Sequence, residues 1–109
     1  MDKQIQEKIM QLQYLEQSHQ QILLQKQTIQ QQLMEIESAL EELNKKPKQT
    51  FKVIGGIMVE AAGGELQKDL NSKKEIAELK IKSIEKQEEK IKKETKKIQE
   101  ELLSNMKKN

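Results

Sequence analysis

The chain has 109 residues, 35% charged, 34% hydrophobic and only 2% aromatic, a composition that excludes an ordinary enclosed globular core and favours a single elongated domain over 1–109. The formal net charge of +2 conceals an asymmetry: Met1 to Asn44 holds three Lys against seven acids, and Asp69 to Asn109 holds twelve Lys against nine acids. All 20 basic residues are Lys, so the bidentate guanidinium fork is missing and nucleic acid is a poor partner. Cysteine is absent, no run is apolar enough to span a membrane, and the N-terminus lacks an apolar leader, which together predict a soluble cytoplasmic chain with no membrane partner.

From Ile5 to Leu43 one heptad frame holds. Ile5, Leu12, His19, Lys26, Leu33 and Leu40 occupy one seam position, and Lys8, Leu15, Ile22, Ile29, Ile36 and Leu43 the other. Nine of these twelve positions are apolar, which predicts a coiled-coil helix over about 3–44. Lys8, His19 and Lys26 make the seam locally polar. Twelve Gln in the first 32 residues read as a solvated, uncharged helix face. His19 is the sole histidine and has no neighbouring Cys, Asp or second His, so it reads as a seam residue rather than a metal ligand or catalytic base.

Pro47 ends this helix, because it disfavours helical geometry at Lys46 and carries no amide donor. The period then changes. Thr50 to Ile54 and Ile57 to Glu60 are rich in β-branched and aromatic residues, and Gly55-Gly56 supplies the positive φ angles of a two-residue turn, which predicts a β-hairpin over about 50–60. In that register Ile54 faces Ile57 and Val53 faces Met58, so both faces of the ribbon are apolar. Either the hairpin folds back on the helix ends, or its edges and faces join other subunits in a barrel. A phosphate-binding role for the glycine pair is disfavoured, since Ile-Met-Val-Glu follows where a Lys and a Ser or Thr would open a helix. Ala61-Ala62-Gly63-Gly64 reads as a flexible exit.

A second helix is expected over about 65–104, starting near Glu65 or Leu66. Leu70, Ala77, Ile84, Ile91 and Ile98 recur every seven residues, with Ile81 and Leu102 at the other seam position and Lys74, Glu88 and Thr95 interrupting it. Ile76 and Leu79 lie off the stripe, where another subunit would cover them. Two such helices joined by a compact hairpin run back antiparallel, bringing both termini together roughly 60 Å from the hairpin. Ile5, Ile9 and Met10 then meet Leu102, Leu103 and Met106 at that tip. They are either the last turn of the seam or an adaptable, Met-containing patch that captures exposed apolar segments of other proteins. Lys107 and Lys108 leave the tip basic, solvated or docked on an acidic partner.

The order of these parts resembles a prefoldin beta-class subunit of archaeal type. The likeness rests on the Gln-rich first arm with Leu24-Gln-Lys-Gln27, on Phe51-Lys-Val-Ile-Gly-Gly-Ile-Met-Val59, and on Ile84-Glu-Lys-Gln-Glu-Glu-Lys-Ile-Lys-Lys93. It implies a mainly α fold, a long antiparallel coiled-coil hairpin whose one central β-hairpin assembles into an intersubunit β-barrel. It also implies a hexamer of two alpha and four beta subunits that holds unfolded client proteins at its coiled-coil tips and passes them, without ATP, to a group II chaperonin. On this chain the oligomerisation role would fall on Phe51, Val53, Ile54, Ile57, Met58 and Val59. Client binding would fall on Ile5, Ile9, Met10, Leu102, Leu103 and Met106, and chaperonin docking on Lys107 and Lys108. No cofactor, metal or catalytic residue is implied. The Ala-Ala-Gly-Gly exit departs from the polar, helix-leaning stretch of that family. The competing reading from the heptads alone is a structural antiparallel coiled-coil spacer or adaptor. An enzyme has no Cys, Ser-His pair, metal cluster or phosphate loop to stand on.

Overall fold

The computed structural model describes residues 3–107. Helix α1 runs Lys3–Asn44, strands β1 and β2 run Phe51–Ile54 and Ile57–Glu60, and helix α2 runs Gly63–Lys107. The helices have 42 and 45 residues, so each is roughly 60–70 Å long at 1.5 Å per residue. The chain forms two compact units, one from the residues up to Gln27 and from Lys82 onward, the other from Thr28–Ile81. In the first unit Lys8 pairs with Glu101, and Lys26, further along α1, pairs with Glu88, earlier in α2. In the second, Glu37 pairs with Lys74 and Asn44 accepts from Gln67. Within each unit the helices are therefore antiparallel.

The heptad frame accounts for which side chains are covered. All twelve seam positions of α1 are buried or half-buried, as are all ten of α2 between Leu70 and Leu102, the interrupting Lys74, Glu88 and Thr95 included. Among the described residues only Ile5, Leu15, Ala77 and Ile84 are buried, and none of the large side chains is completely enclosed. The core is a line rather than a volume, as the composition requires.

The end of α1 is tightened by two short backbone bonds, from the Lys45 amide to the Glu42 carbonyl at 3.2 Å and from Lys46 to Leu43 at 3.1 Å. Lys46 then takes a left-handed φ of 52° directly before Pro47. In the hairpin, Phe51 pairs with Glu60, Lys52 with Val59, Val53 with Met58 and Ile54 with Ile57. Gly55 and Gly56 take φ of 55° and 80°, the two positive angles demanded by a two-residue turn whose twist matches its strands.

The second helix begins at Gly63, ahead of the expected Glu65 or Leu66, so the stretch expected to be a flexible exit is largely fixed. The reason lies across the ribbon. The Ala61 amide bonds the Thr50 carbonyl at 2.9 Å, while the Thr50 hydroxyl donates back to the Ala61 carbonyl. Anchored there, Ala62 presents its carbonyl to the Leu66 amide at 3.1 Å, and the helical ladder starts despite two glycines in the first turn. The helix ends carry charges of the favourable sign, Glu65 in the first turn and Lys107 in the last.

Candidate functional site

Among the described residues the hairpin is an apolar feature that the rest of the chain leaves uncovered. Phe51, Val53, Ile54, Ile57, Met58 and Val59 are between 46% and 69% exposed, and all eight strand residues are open to solvent. The alternative in which the ribbon folds back on the helix ends is therefore not adopted. Directly paired residues share a face of an antiparallel ribbon. One face thus carries Phe51, Val53 and Met58 with the carboxylate of Glu60, and the other carries Ile54, Ile57 and Val59 with the ammonium of Lys52. Each face is three parts apolar with one charge, and the two charges are opposite. Among the described residues no third strand covers either edge. A two-stranded ribbon of this kind is marginal alone in water.

In the unit built from the outer parts of both helices, the six proposed tip residues separate into two groups. Ile5 is 9% exposed and belongs to the seam, with Ile9 and Leu102 half-buried beside it. Met10, Leu103 and Met106 stand out at 67%, 58% and 58% exposed. Tyr14, the only tyrosine, was not singled out by the heptad frame, yet it lies one turn beyond Met10 at 70% exposed. Met10 and Tyr14 wall an open groove whose floor is Leu15 and Ile98 and whose far rim is Glu94, Lys97 and Glu101, while Leu103 and Met106 lie outside its lining. The spacing of Met10 and Tyr14, four residues apart and off the seam, was the available sequence signal. Lys107 is exposed, and Lys108 lies outside the described residues.

The polar seam positions find one another. Lys8 donates to Glu101 at 2.8 Å, and Lys26 donates to one oxygen of Glu88 at 3.3 Å while lying 3.8 Å from Glu85. The other oxygen of Glu88 is 3.6 Å from Nε2 of His19, a buried nitrogen that completes no hydrogen bond. The hydrogen bond from Lys26 holds the Glu88 carboxyl below the usual carboxylate range, against the opposing effect of burial. Lys8 does the same for Glu101. Polar layers of this type fix which turn of one helix meets which turn of the other. Among the described residues no three His, Cys, Asp or Glu side chains are grouped to hold a metal ion, and no helix is long and apolar enough to cross a membrane.

Two long helices, antiparallel within each unit and joined by a single exposed hairpin, are the architecture of a coiled-coil subunit, and the chain belongs to the prefoldin family of chaperones, whose subunit model matches residues 6–109. Within that family the chain is similar to beta subunits. The chain is 36% identical over 101 residues to the prefoldin subunit beta of Archaeoglobus fulgidus, covering 91% of this chain and 87% of that protein. It is 36% identical over 85 residues to that of Caldivirga maquilingensis, covering 76% and 70%. The crystal structure of the prefoldin beta subunit from Thermococcus strain KS-1 superposes with a TM-score of 0.89 at 27% identity, over 95% of this chain and 93% of that one. The archaeal beta-type resemblance read from the sequence is thus the right one. Prefoldin subunits are chaperones that assemble with other prefoldin subunits, and they are not enzymes.

Proposed function

We propose that this chain is the beta component of a cytoplasmic hexamer of two alpha and four beta subunits, which holds unfolded proteins without ATP and delivers them to a group II chaperonin. The observation that carries this reading is the hairpin, which leaves six apolar side chains on two faces with no partner in its own chain. Hairpins from neighbouring subunits close into a barrel, satisfying the free edges and burying both faces at once. Clients are held by the exposed Met10, Leu103 and Met106, whose flexible side chains suit apolar segments of varied shape. Ile5, Ile9 and Leu102 contribute from the seam beneath them, and Lys107 and Lys108 dock the loaded complex on an acidic face of the chaperonin.

Mixing the chain with an archaeal alpha-type subunit tests this reading. The expected products are a species with the mass of six subunits and suppression of aggregation of a chemically unfolded client, with no nucleotide present. A chain that stays apart from the alpha subunit would sink the proposal. Removing the residues before Leu12 and after Ile98 then separates holding from scaffolding. If client holding survives that truncation, the spacer reading replaces the chaperone one.

A further inference from the structure

His19 leaves a polar seam position half finished. It lies in the unit built from the residues up to Gln27 and from Lys82 onward, as do all the charged groups around it. Its Nε2 is buried, completes no hydrogen bond and lies 3.6 Å from one oxygen of Glu88, just beyond bonding distance. The other oxygen of Glu88 accepts from Lys26 at 3.3 Å, and the same ammonium lies 3.8 Å from Glu85. Two carboxylates thus share one cation in this layer, which is one positive charge short of balance. Beside the imidazole runs an open groove lined by Glu16 of α1 and by Lys92 and Lys96 of α2. Glu16 offsets Lys92, and Lys96 is a further helical turn along α2 from Glu88. The His19 side chain is 32% exposed, so the groove gives the ring a route for proton exchange with water.

We propose that His19 and Glu88 form a proton-operated latch between the two helices of this unit. Taking up a proton gives the imidazole a full charge and an N–H at both ring nitrogens, and the 3.6 Å approach closes into a charged hydrogen bond across the seam. Lys26 opposes the incoming charge, but it bonds the other oxygen of Glu88 and is drawn also toward Glu85. Imidazole is the side chain whose ordinary titration falls between about pH 5 and 8, and His19 is the only one in the chain. A proton held more tightly by the folded chain than by the unfolded one adds stability that is complete in mildly acid solution and is lost as pH rises through the imidazole range. That sense is opposite to the acid limb set by Glu88 and Glu101, whose carboxyls are held below 4.5 and stay ionised above it. For a partly exposed pair the gain is roughly two- to fivefold in the folding equilibrium constant.

Urea unfolding of the full-length chain, followed by circular dichroism at about pH 5.5 and about pH 7.5, tests the latch against His19→Gln and Glu88→Gln. The folding equilibrium constant of the unaltered chain is expected to rise roughly two- to fivefold at the lower pH, and the rise is expected to vanish in both variants. The α-amino group also titrates near neutral pH, but every chain compared carries it, so only the difference between chains is read. An equal rise in His19→Gln, no rise in the unaltered chain, or a fall in stability at the lower pH overturns the proposal. So does a titration of the ring C–H resonances of His19 with the same midpoint in the folded and the urea-unfolded chain, a measurement that needs no variant at all. The hairpin is identical in every chain compared, so failure of the proposed assembly leaves the outcome unaffected.

Discussion

Replacing Ile54 and Ile57 with Lys should separate the proposed assembly from folding. The two residues pair across one face of the ribbon and are 53% and 67% exposed in the single chain. Full burial of an isoleucine side chain contributes about 1.5–3 kcal/mol, and roughly half to two thirds of that remains to be gained when a neighbour covers the face. The pair therefore forfeits about 2–4 kcal/mol of association free energy per subunit, roughly 30- to 700-fold in affinity at 1.4 kcal/mol per factor of ten. The introduced ammonium groups add to the loss, since a covered and unpaired charge costs several kcal/mol more. Inside the single chain the same side chains contact mainly water, so the cost to folding is about 1 kcal/mol or less. Sedimentation velocity with and without an alpha-type subunit, beside far-ultraviolet circular dichroism, reads both quantities. Loss of oligomer with full helix content is expected. An oligomer of unchanged affinity would refute the assignment of assembly to this face, and a collapse of helix content would refute its independence from the fold.

Four further outcomes follow from the same geometry. Met10→Ser, Tyr14→Ser and Leu103→Ser combined should weaken suppression of client aggregation while each changes stability by no more than about 0.5 kcal/mol, because all three side chains are already exposed; thermal melts beside light scattering check this. Ile84→Ala, at a residue only 7% exposed, should destabilise the helix pair by about 2–4 kcal/mol in urea unfolding, the lower end applying where the narrow core closes over the gap. Thr50→Val removes the hydroxyl bond to Ala61 and should cost about 1 kcal/mol, with faster amide exchange at Leu66 as the local sign that the start of α2 has loosened. Glu88 and Glu101 have depressed carboxyl values in the folded chain, so the stability they supply is complete above their ordinary value of 4.5 and is lost as pH falls below it. Glu88→Gln with Glu101→Gln should flatten that acid limb in a series of melts between neutral pH and about pH 3.

Much of the fold was legible because its core is one-dimensional. A stripe shared by two helices leaves a seven-residue imprint on each, so Lys8, His19, Lys26 and Glu88 were placed at the seam in spite of their polarity, and all are covered. The hairpin register was legible for a different reason: a two-residue turn at Gly55-Gly56 leaves one way to pair Ile54 with Ile57. The start of α2 was not. Ala-Ala-Gly-Gly has poor local helix preference, and what fixes it is the reach of Thr50 from the other side of the ribbon, a contact between residues eleven apart. The candidate site was half legible. Spacing marked Met10 as lying off the seam but set Ile5 beside it as an equal. Only the position of α2 shows that Ile5 is enclosed while Tyr14, passed over in the sequence, forms a wall of the same open groove.

The opposite charges on the two faces of the ribbon give it a sense of up and down. A strand pair decorated with apolar groups alone could be inserted into a neighbour's sheet either way over. Here, turning the ribbon about its long axis exchanges the Glu60 carboxylate for the Lys52 ammonium at whichever surface is covered. A neighbour suited to one is left with an unpaired charge by the other. On the proposed assembly through the hairpin, two ionic side chains among eight strand residues would act as a key that sets which way a subunit is added, before any of the six apolar groups decides how tightly the subunits hold.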